Sequence, residues 1–113
     1  MVQNRNKLID LFIGNIANAI IHEILEHAVS KELMADKYRK ELITSLEVAK
    51  KYREKINPLN RPLSEKDIAY IKDKITNKVR AELMIRISKG YRNIDLSLIE
   101  KLIDKALKNT NIA

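Results

Sequence analysis

The segment IIHEILEH, residues 20–27, contains both histidines of the chain and two glutamates. Zinc proteases place two histidines four residues apart in the motif HExxH, so that both bind one metal ion from one helix face. His22 and His27 are five residues apart, which puts them roughly 140° apart around a helix. The inverted motif HxxEH fails by one residue, and Ile24 occupies the position that a Glu-x-x-His di-iron motif gives to glutamate. The spacing therefore predicts no metal site, and it favours His22–Glu26 and Glu23–His27 as pairs within one helix.

Other residue patterns that support catalysis are also missing from the sequence. There is no cysteine, which excludes disulfides, cysteine-based zinc sites and a cysteine nucleophile. No serine lies in a G-x-S-x-G elbow. Gly14 and Gly90 are far apart, so the chain has no glycine-rich phosphate loop. We therefore expect a protein that is not an enzyme and that uses no cofactor.

The basic residues indicate a different kind of site. The chain of 113 residues has a formal net charge of +7, with +4 over residues 31–63 and +3 over residues 64–90. Such an excess favours a polyanionic partner, and we expect nucleic acid, either DNA or RNA, to bind through the central helices. The candidate phosphate-binding residues are Lys37, Lys40, Lys51, Lys55, Lys74 and Lys78.

A solvated face held by ion pairs is the alternative interpretation of these lysines. Glu47 precedes Lys51 by four residues, a spacing that favours an ion pair on a helix. Asp36 precedes Lys40 by the same distance. In that case the charge would serve solubility rather than binding.

The apolar pattern predicts an all-α fold, a single-domain bundle of about four helices that spans residues 1–113. The predicted helices cover residues 6–28, 31–56, 65–89 and 97–108. Asn57-Pro58 ends the second helix, because a residue before proline is pushed out of the helical region. Ser64 with Asp67, and Ser97 with Glu100, have the spacing of capping boxes that begin the third and fourth helices. Gly90 is free to take the left-handed conformation that ends the third.

The first predicted helix is apolar around most of its circumference from Leu8 to Ile21. A helix of this kind is buried on all sides, and a second copy of the chain would provide the missing cover. We therefore expect a homodimer. The predicted interface residues are Leu11, Ala17, Ile21 and Leu25.

The same segment is interrupted by Asp10, Asn15 and Asn18, and on this ground it fails as a membrane span or signal peptide. We expect a cytoplasmic protein without a membrane partner. Abundant Ile, Lys and Glu, with one Gln and no Cys, favour a thermophile. An AT-rich genome would produce a similar enrichment in Ile, Lys and Asn.

Two stretches give the chain a resemblance to a known family. YRKELITSLEVAKKYRE at residues 38–54 and KVRAELMIRISK at residues 78–89 resemble the helical part of archaeal GINS subunits, which assist the replicative helicase. The resemblance implies an adaptor, an accessory subunit that docks on a larger protein complex through apolar surface. The small second domain of that family is missing, and no diagnostic residue carries over. The adaptor is our alternative to nucleic-acid binding.

Overall fold

A computed structural model describes residues 5–28, 32–57, 61 and 63–110 of the chain. They form a compact all-α bundle of four helices, as predicted. The helices are α1 (Arg5–Ala28), α2 (Glu32–Ile56), α3 (Glu65–Ser88) and α4 (Leu98–Asn109). Each observed bound lies within one residue of the predicted one, apart from the start of α2, where residue 31 lies outside the described residues.

The central element of the bundle is α1, which packs on each of the other three helices. Within the described part of the chain, α2 packs on α1 alone, whereas α4 packs on both α1 and α3. The ion pair of Glu26 with Arg39, together with the contact of His22 with Glu41, shows that α2 runs antiparallel to α1. Arg5 pairs with Asp67, so α3 begins beside the start of α1 and runs parallel to it.

The core is aliphatic and centred on α1. Eleven residues of α1 are buried: Leu8, Ile9, Phe12, Ile13, Ile16, Ala17, Ala19, Ile20, Ile21, Ile24 and Leu25. The helical spacing of the apolar residues from Ile68 to Ile87 predicts an inner stripe on α3. Its members Ile71, Ile75, Val79 and Leu83 are fully buried. Ile87, the last residue of that predicted stripe, is 37% exposed, and Leu83 is the last residue of α3 in the hydrophobic core. The C-terminal turn of α3 therefore extends beyond the core.

By length and composition alone, α1 could cross a membrane. The expectation that Asp10, Asn15 and Asn18 disqualify it on composition is therefore wrong. Most residues of the apolar stretch of α1 are nevertheless buried among the other helices, as in the core helix of a globular bundle. The packing of α1 is that of a core helix, and the cytoplasmic location stays a prediction.

The two predicted capping boxes have different outcomes. The Ser64 hydroxyl accepts a hydrogen bond from the Asp67 N–H at 3.1 Å, as the sequence predicted for α3. Ser97 makes no such capping bond. Instead, its N–H and hydroxyl donate to the Asp95 carboxylate at 3.0 and 2.5 Å, and these bonds lower the pKa of Asp95. Asp95 therefore stabilises the turn that precedes α4, by the bond of an aspartate side chain to the N–H two residues on, and the predicted cap at Ser97 is not formed.

Candidate nucleic-acid interface

The polar segment at the end of α1 connects helices to one another. Glu26 accepts a hydrogen bond from the Nε of Arg39 on α2 at 2.9 Å. Glu23 lies 3.7 Å from the ammonium of Lys105 on α4. The predicted pairs within α1 are therefore replaced by pairs between helices. Among the described residues, no three His, Asp or Glu side chains lie close enough together to hold a metal ion.

His22 of α1 lies between residues of α2 on one side and residues of α3 on the other. Its Nε2 is 3.0 Å from a carboxylate oxygen of Glu41, and its ring stacks on Tyr38 at a centroid distance of 6.0 Å. Its Nδ1 is buried with no hydrogen-bond partner among the described residues. This arrangement suits a neutral ring that donates from Nε2, since a proton on Nδ1 would be a buried donor without an acceptor. Burial lowers the pKa of His22, Glu41 raises it in part, and Arg86 lowers it further.

All six candidate lysines are exposed. Within the part of the chain that the structure describes, none of them pairs with a carboxylate, whereas Lys72 and Lys105 do. The predicted pairs of Lys40 and Lys51 are not formed there, and Asp36 instead pairs with Arg39 at 3.1 Å. The alternative of a face held by ion pairs therefore does not describe these lysines.

Two of the lysines lie over tyrosine rings. The Lys55 ammonium is 5.7 Å from the centre of the Tyr52 ring on α2. The Lys74 ammonium is 5.8 Å from the centre of the Tyr70 ring on α3, and Tyr70 is itself 46% exposed. These contacts leave each ammonium accessible to an anion.

The six lysines lie on two helices that α1 separates. Lys51 and Lys55 lie in the last turns of α2, at the end of the bundle where α1 and α3 begin. Lys37 and Lys40 lie near the opposite end, because α2 is antiparallel to α1. Lys74 and Lys78 lie in the middle of α3. The structure therefore distributes these charges along the bundle and does not gather them into one patch.

A groove of about 420 Å³ lies between α1 and α3, here called the α1–α3 groove. Its lining residues are Gly14, Ala17, Asn18, Ile21, His22, Lys78, Ala81, Glu82, Ile85 and Arg86. Lys78 is the candidate lysine that reaches this groove. Glu82 accepts a hydrogen bond from Arg86 at 3.1 Å, which leaves Lys78 as the free cation of the described lining.

The predicted dimer interface is largely covered within one chain. Ala17, Ile21 and Leu25 are 2%, 6% and 0% exposed, and Leu11 is half-buried. The premise that these side chains would be left in water is wrong for the first three, because the neighbouring helices of the same chain cover them. The homodimer therefore remains a prediction without its original physical reason.

Arg53 is a buried charged residue that the sequence analysis did not identify. Its side chain is 1% exposed, and it donates to the Asn57 side-chain oxygen at 2.5 Å and to the Arg61 carbonyl at 3.1 Å. Burial lowers the pKa of its guanidinium. Its position four residues after Ala49 and three before Ile56, both buried, is the helical spacing that could have revealed it.

The C-terminal end of α3 exposes several large apolar side chains. Their exposed fractions are 50% for Met84, 48% for Ile85, 37% for Ile87 and 41% for Tyr91. The guanidinium carbon of Arg86 lies 5.5 Å from the centre of the Tyr91 ring, so a positive charge lies beside this apolar surface. The described part of α3 therefore has an unburied face beyond its core stripe.

Comparison of the chain with protein-family profiles, curated proteins and solved structures finds no match. The resemblance to GINS subunits therefore has no support from a family profile.

Proposed function

We propose that the protein binds nucleic acid through the exposed lysines of α2 and α3, without catalysing a reaction. The proposal rests on one observation: the six candidate lysines are exposed and make no ion pair with the described carboxylates. An ammonium that is already free can contact a phosphate without first breaking an ion pair. Lysines distributed along a bundle 42 Å long suit contacts to separate phosphates of a backbone rather than to one small anion.

Contacts of this kind give affinity without sequence specificity. Lysine is a point charge on a flexible stem, so it neutralises a phosphate without reading a base edge. We therefore expect binding to both duplex and single-stranded nucleic acid, with an affinity that falls steeply as the salt concentration rises.

The test is a titration of the protein with a fluorescent duplex over a series of salt concentrations. The site variant replaces Lys51, Lys55, Lys74 and Lys78 with glutamine. The slope of log affinity against log salt is negative, and each lost phosphate contact reduces its magnitude by about 0.9. The site variant should therefore reduce that magnitude by about 3 to 4.

A matched control removes the same charge elsewhere. It replaces Lys7, Lys89, Lys101 and Lys108, which are also exposed, with glutamine. The control variant should keep most of the wild-type slope. Absence of binding by the wild type at low salt, or an equal loss in both variants, would contradict the proposal.

A further inference from the structure

A cavity of about 450 Å³ lies between the start of α1 and the start of α3. This volume is within the range of roughly 300–1,000 Å³ that is usual for small-molecule sites. The cavity, here called the Tyr70 cavity, is lined by Asn6, Ile9, Asp10, Lys66, Asp67 and Tyr70. It therefore combines an aromatic ring, an aliphatic side chain, hydrogen-bond acceptors and a cation.

Tyr70 provides the aromatic surface of the cavity. Its hydroxyl donates to the Asp10 carboxylate on α1 at 3.4 Å, so its ring is held between the two helices. Tyr70 is nevertheless 46% exposed and is not part of the hydrophobic core. The side chain therefore remains accessible to a ligand that stacks on aromatic rings.

Two lysines flank Tyr70 along α3. Lys66 lies four residues before it and Lys74 four residues after it, so all three share one helix face at steps of about 6 Å. The Lys74 ammonium is 5.8 Å from the centre of the Tyr70 ring. Both lysines are exposed, and neither pairs with a carboxylate of the described chain. Phosphates on the two sides of a single nucleotide can therefore each meet a cation.

The carboxylates of the cavity decide between classes of ligand. Asp67 is paired with Arg5 at 2.6 Å, whereas Asp10 makes no ion pair with the described residues and keeps acceptor capacity beyond its bond to Tyr70. These carboxylates would repel a small anion, and an apolar ligand would bury them without donors. An unpaired nucleobase is flat, carries N–H donors for Asp10, and leaves its phosphates outside the cavity beside the lysines.

We propose that the Tyr70 cavity binds an unpaired base of a nucleic-acid strand. The base stacks on Tyr70, Asp10 accepts a hydrogen bond from its Watson–Crick edge, and Lys66 and Lys74 contact the phosphates on either side. This inference rests on the proposed nucleic-acid binding and adds a preference for single strands. Bases in a duplex are stacked on both faces and paired at that edge, so they do not enter the cavity.

The test compares one fluorescent oligonucleotide of about 12 nucleotides as a single strand and as a duplex at the same salt concentration. The wild type should bind the single strand more tightly. Tyr70→Leu should weaken binding of the single strand by at least about fivefold, because it removes the stacking surface, and should leave duplex binding within about twofold. Tyr70→Phe keeps the ring and should keep the preference for the single strand.

Tyr91→Leu is the matched control. Tyr91 is also exposed, at 41%, and also lies beside a cation, Arg86, but it follows the opposite end of α3. Tyr91→Leu should bind both forms of the oligonucleotide as the wild type does. Thermal unfolding of both leucine variants shows whether a change in binding comes from a damaged fold.

Fluorescence provides a second measurement, because the chain has no tryptophan. The single strand should quench the tryptophan of Tyr70→Trp more than the duplex does, since stacking on a base quenches an indole. It should not quench the tryptophan of Tyr91→Trp. If Tyr70→Leu does not fold, this measurement decides, and an unquenched signal in Tyr70→Trp overturns the proposal.

Failure of the cavity is distinguishable from failure of nucleic-acid binding. Salt-dependent binding that does not prefer the single strand, or that Tyr70→Leu and Tyr91→Leu reduce equally, would overturn the cavity and leave the lysine surface standing. Absence of binding to either form by the wild type at low salt would contradict both.

Discussion

Among the described residues, Arg53 is the one charged residue that is buried. Its guanidinium is buried at the end of α2 and donates hydrogen bonds to Asn57 and to the carbonyl of Arg61. A cation at this position also suits the negative end of the α2 helix dipole. Arg53 thus connects the end of α2 to Asn57 and Arg61, which follow that helix in the chain.

We predict that Arg53→Met lowers the free energy of unfolding by about 1–3 kcal/mol, because it removes the hydrogen bonds of a charged donor to Asn57 and to the carbonyl of Arg61. Arg53→Ala should cost roughly 2 kcal/mol more, since it also leaves a cavity. Urea unfolding measures both. Arg80→Met, at an exposed position of α3, should stay within about 0.5 kcal/mol of the wild type. A smaller effect at Arg53 than at Arg80 would contradict the structure.

His22 gives the stability of the bundle a dependence on pH. Burial lowers its pKa from the usual 6.5, so below that value the unfolded chain takes up a proton that the folded chain does not. The free energy of unfolding should therefore fall as the pH drops from about 7.5 to about 5.5. His22→Gln should reduce this loss, as measured by urea unfolding at each pH. An equal loss in wild type and variant would show that His22 does not cause it.

At the scale of the helices, the sequence predicted the bounds of each helix better than the hydrogen bonds at its start. Ser64 caps α3 as its sequence pattern indicates, because Asp67 follows at the right distance. Ser97 has the same spacing to Glu100, but Asp95 accepts both of its hydrogen bonds. The Asp95 carboxylate, two residues upstream, binds the Ser97 hydroxyl that the motif assigns to the helix cap. A search for the motif that begins at serine does not find this carboxylate.

We predict that Ser64→Ala lowers the free energy of unfolding by about 1 kcal/mol, the usual cost of a lost N-cap. Ser97→Ala should have a clearly smaller effect, because its hydroxyl caps no helix. Asp95→Ala should be more destabilising than Ser97→Ala. Thermal unfolding ranks the three variants by their loss of stability. A larger loss for Ser97→Ala than for Ser64→Ala would contradict the observed hydrogen bonds at the starts of α3 and α4.

At the scale of the whole molecule, predictions that depend on one helix alone were right, whereas those that depend on how the other helices pack around α1 were not. Helix positions and the apolar stripe of α3 follow from local periodicity, and Ile71 to Leu83 are buried as predicted. The contacts of His22, Glu23 and Glu26 do not follow, because their partners on α2 and α4 are distant in sequence. The dimer interface was predicted on Ile21 and Leu25 because a sequence does not show how much of α1 three neighbours can cover.

The same limit applies to the candidate binding surfaces. Lys51 and Lys74 are predictable from charge and helical spacing, because an exposed face needs no tertiary information. The α1–α3 groove is not, since Gly14 and Ala81 come together only when α1 and α3 pack in parallel. Gly14 and Asn18 belong to a line of residues four apart, from Asp10 to His22, that interrupts the apolar surface of α1, but the sequence does not show which helix this line faces.

The central position of α1 also matters while the chain is being made. α1 precedes in sequence all three helices that cover it, so a ribosome releases the most apolar helix first. α2 follows and packs along it, but the side of α1 that faces α3 stays uncovered until residues 65–88 have emerged, and the side that faces α4 until residues 98–109 have emerged. Exposed apolar surface of this kind binds chaperones and aggregates. We therefore expect a variant that weakens the packing of α2 on α1 to reduce the yield in the cell more than it reduces the stability of the finished fold, as measured by soluble expression and urea unfolding.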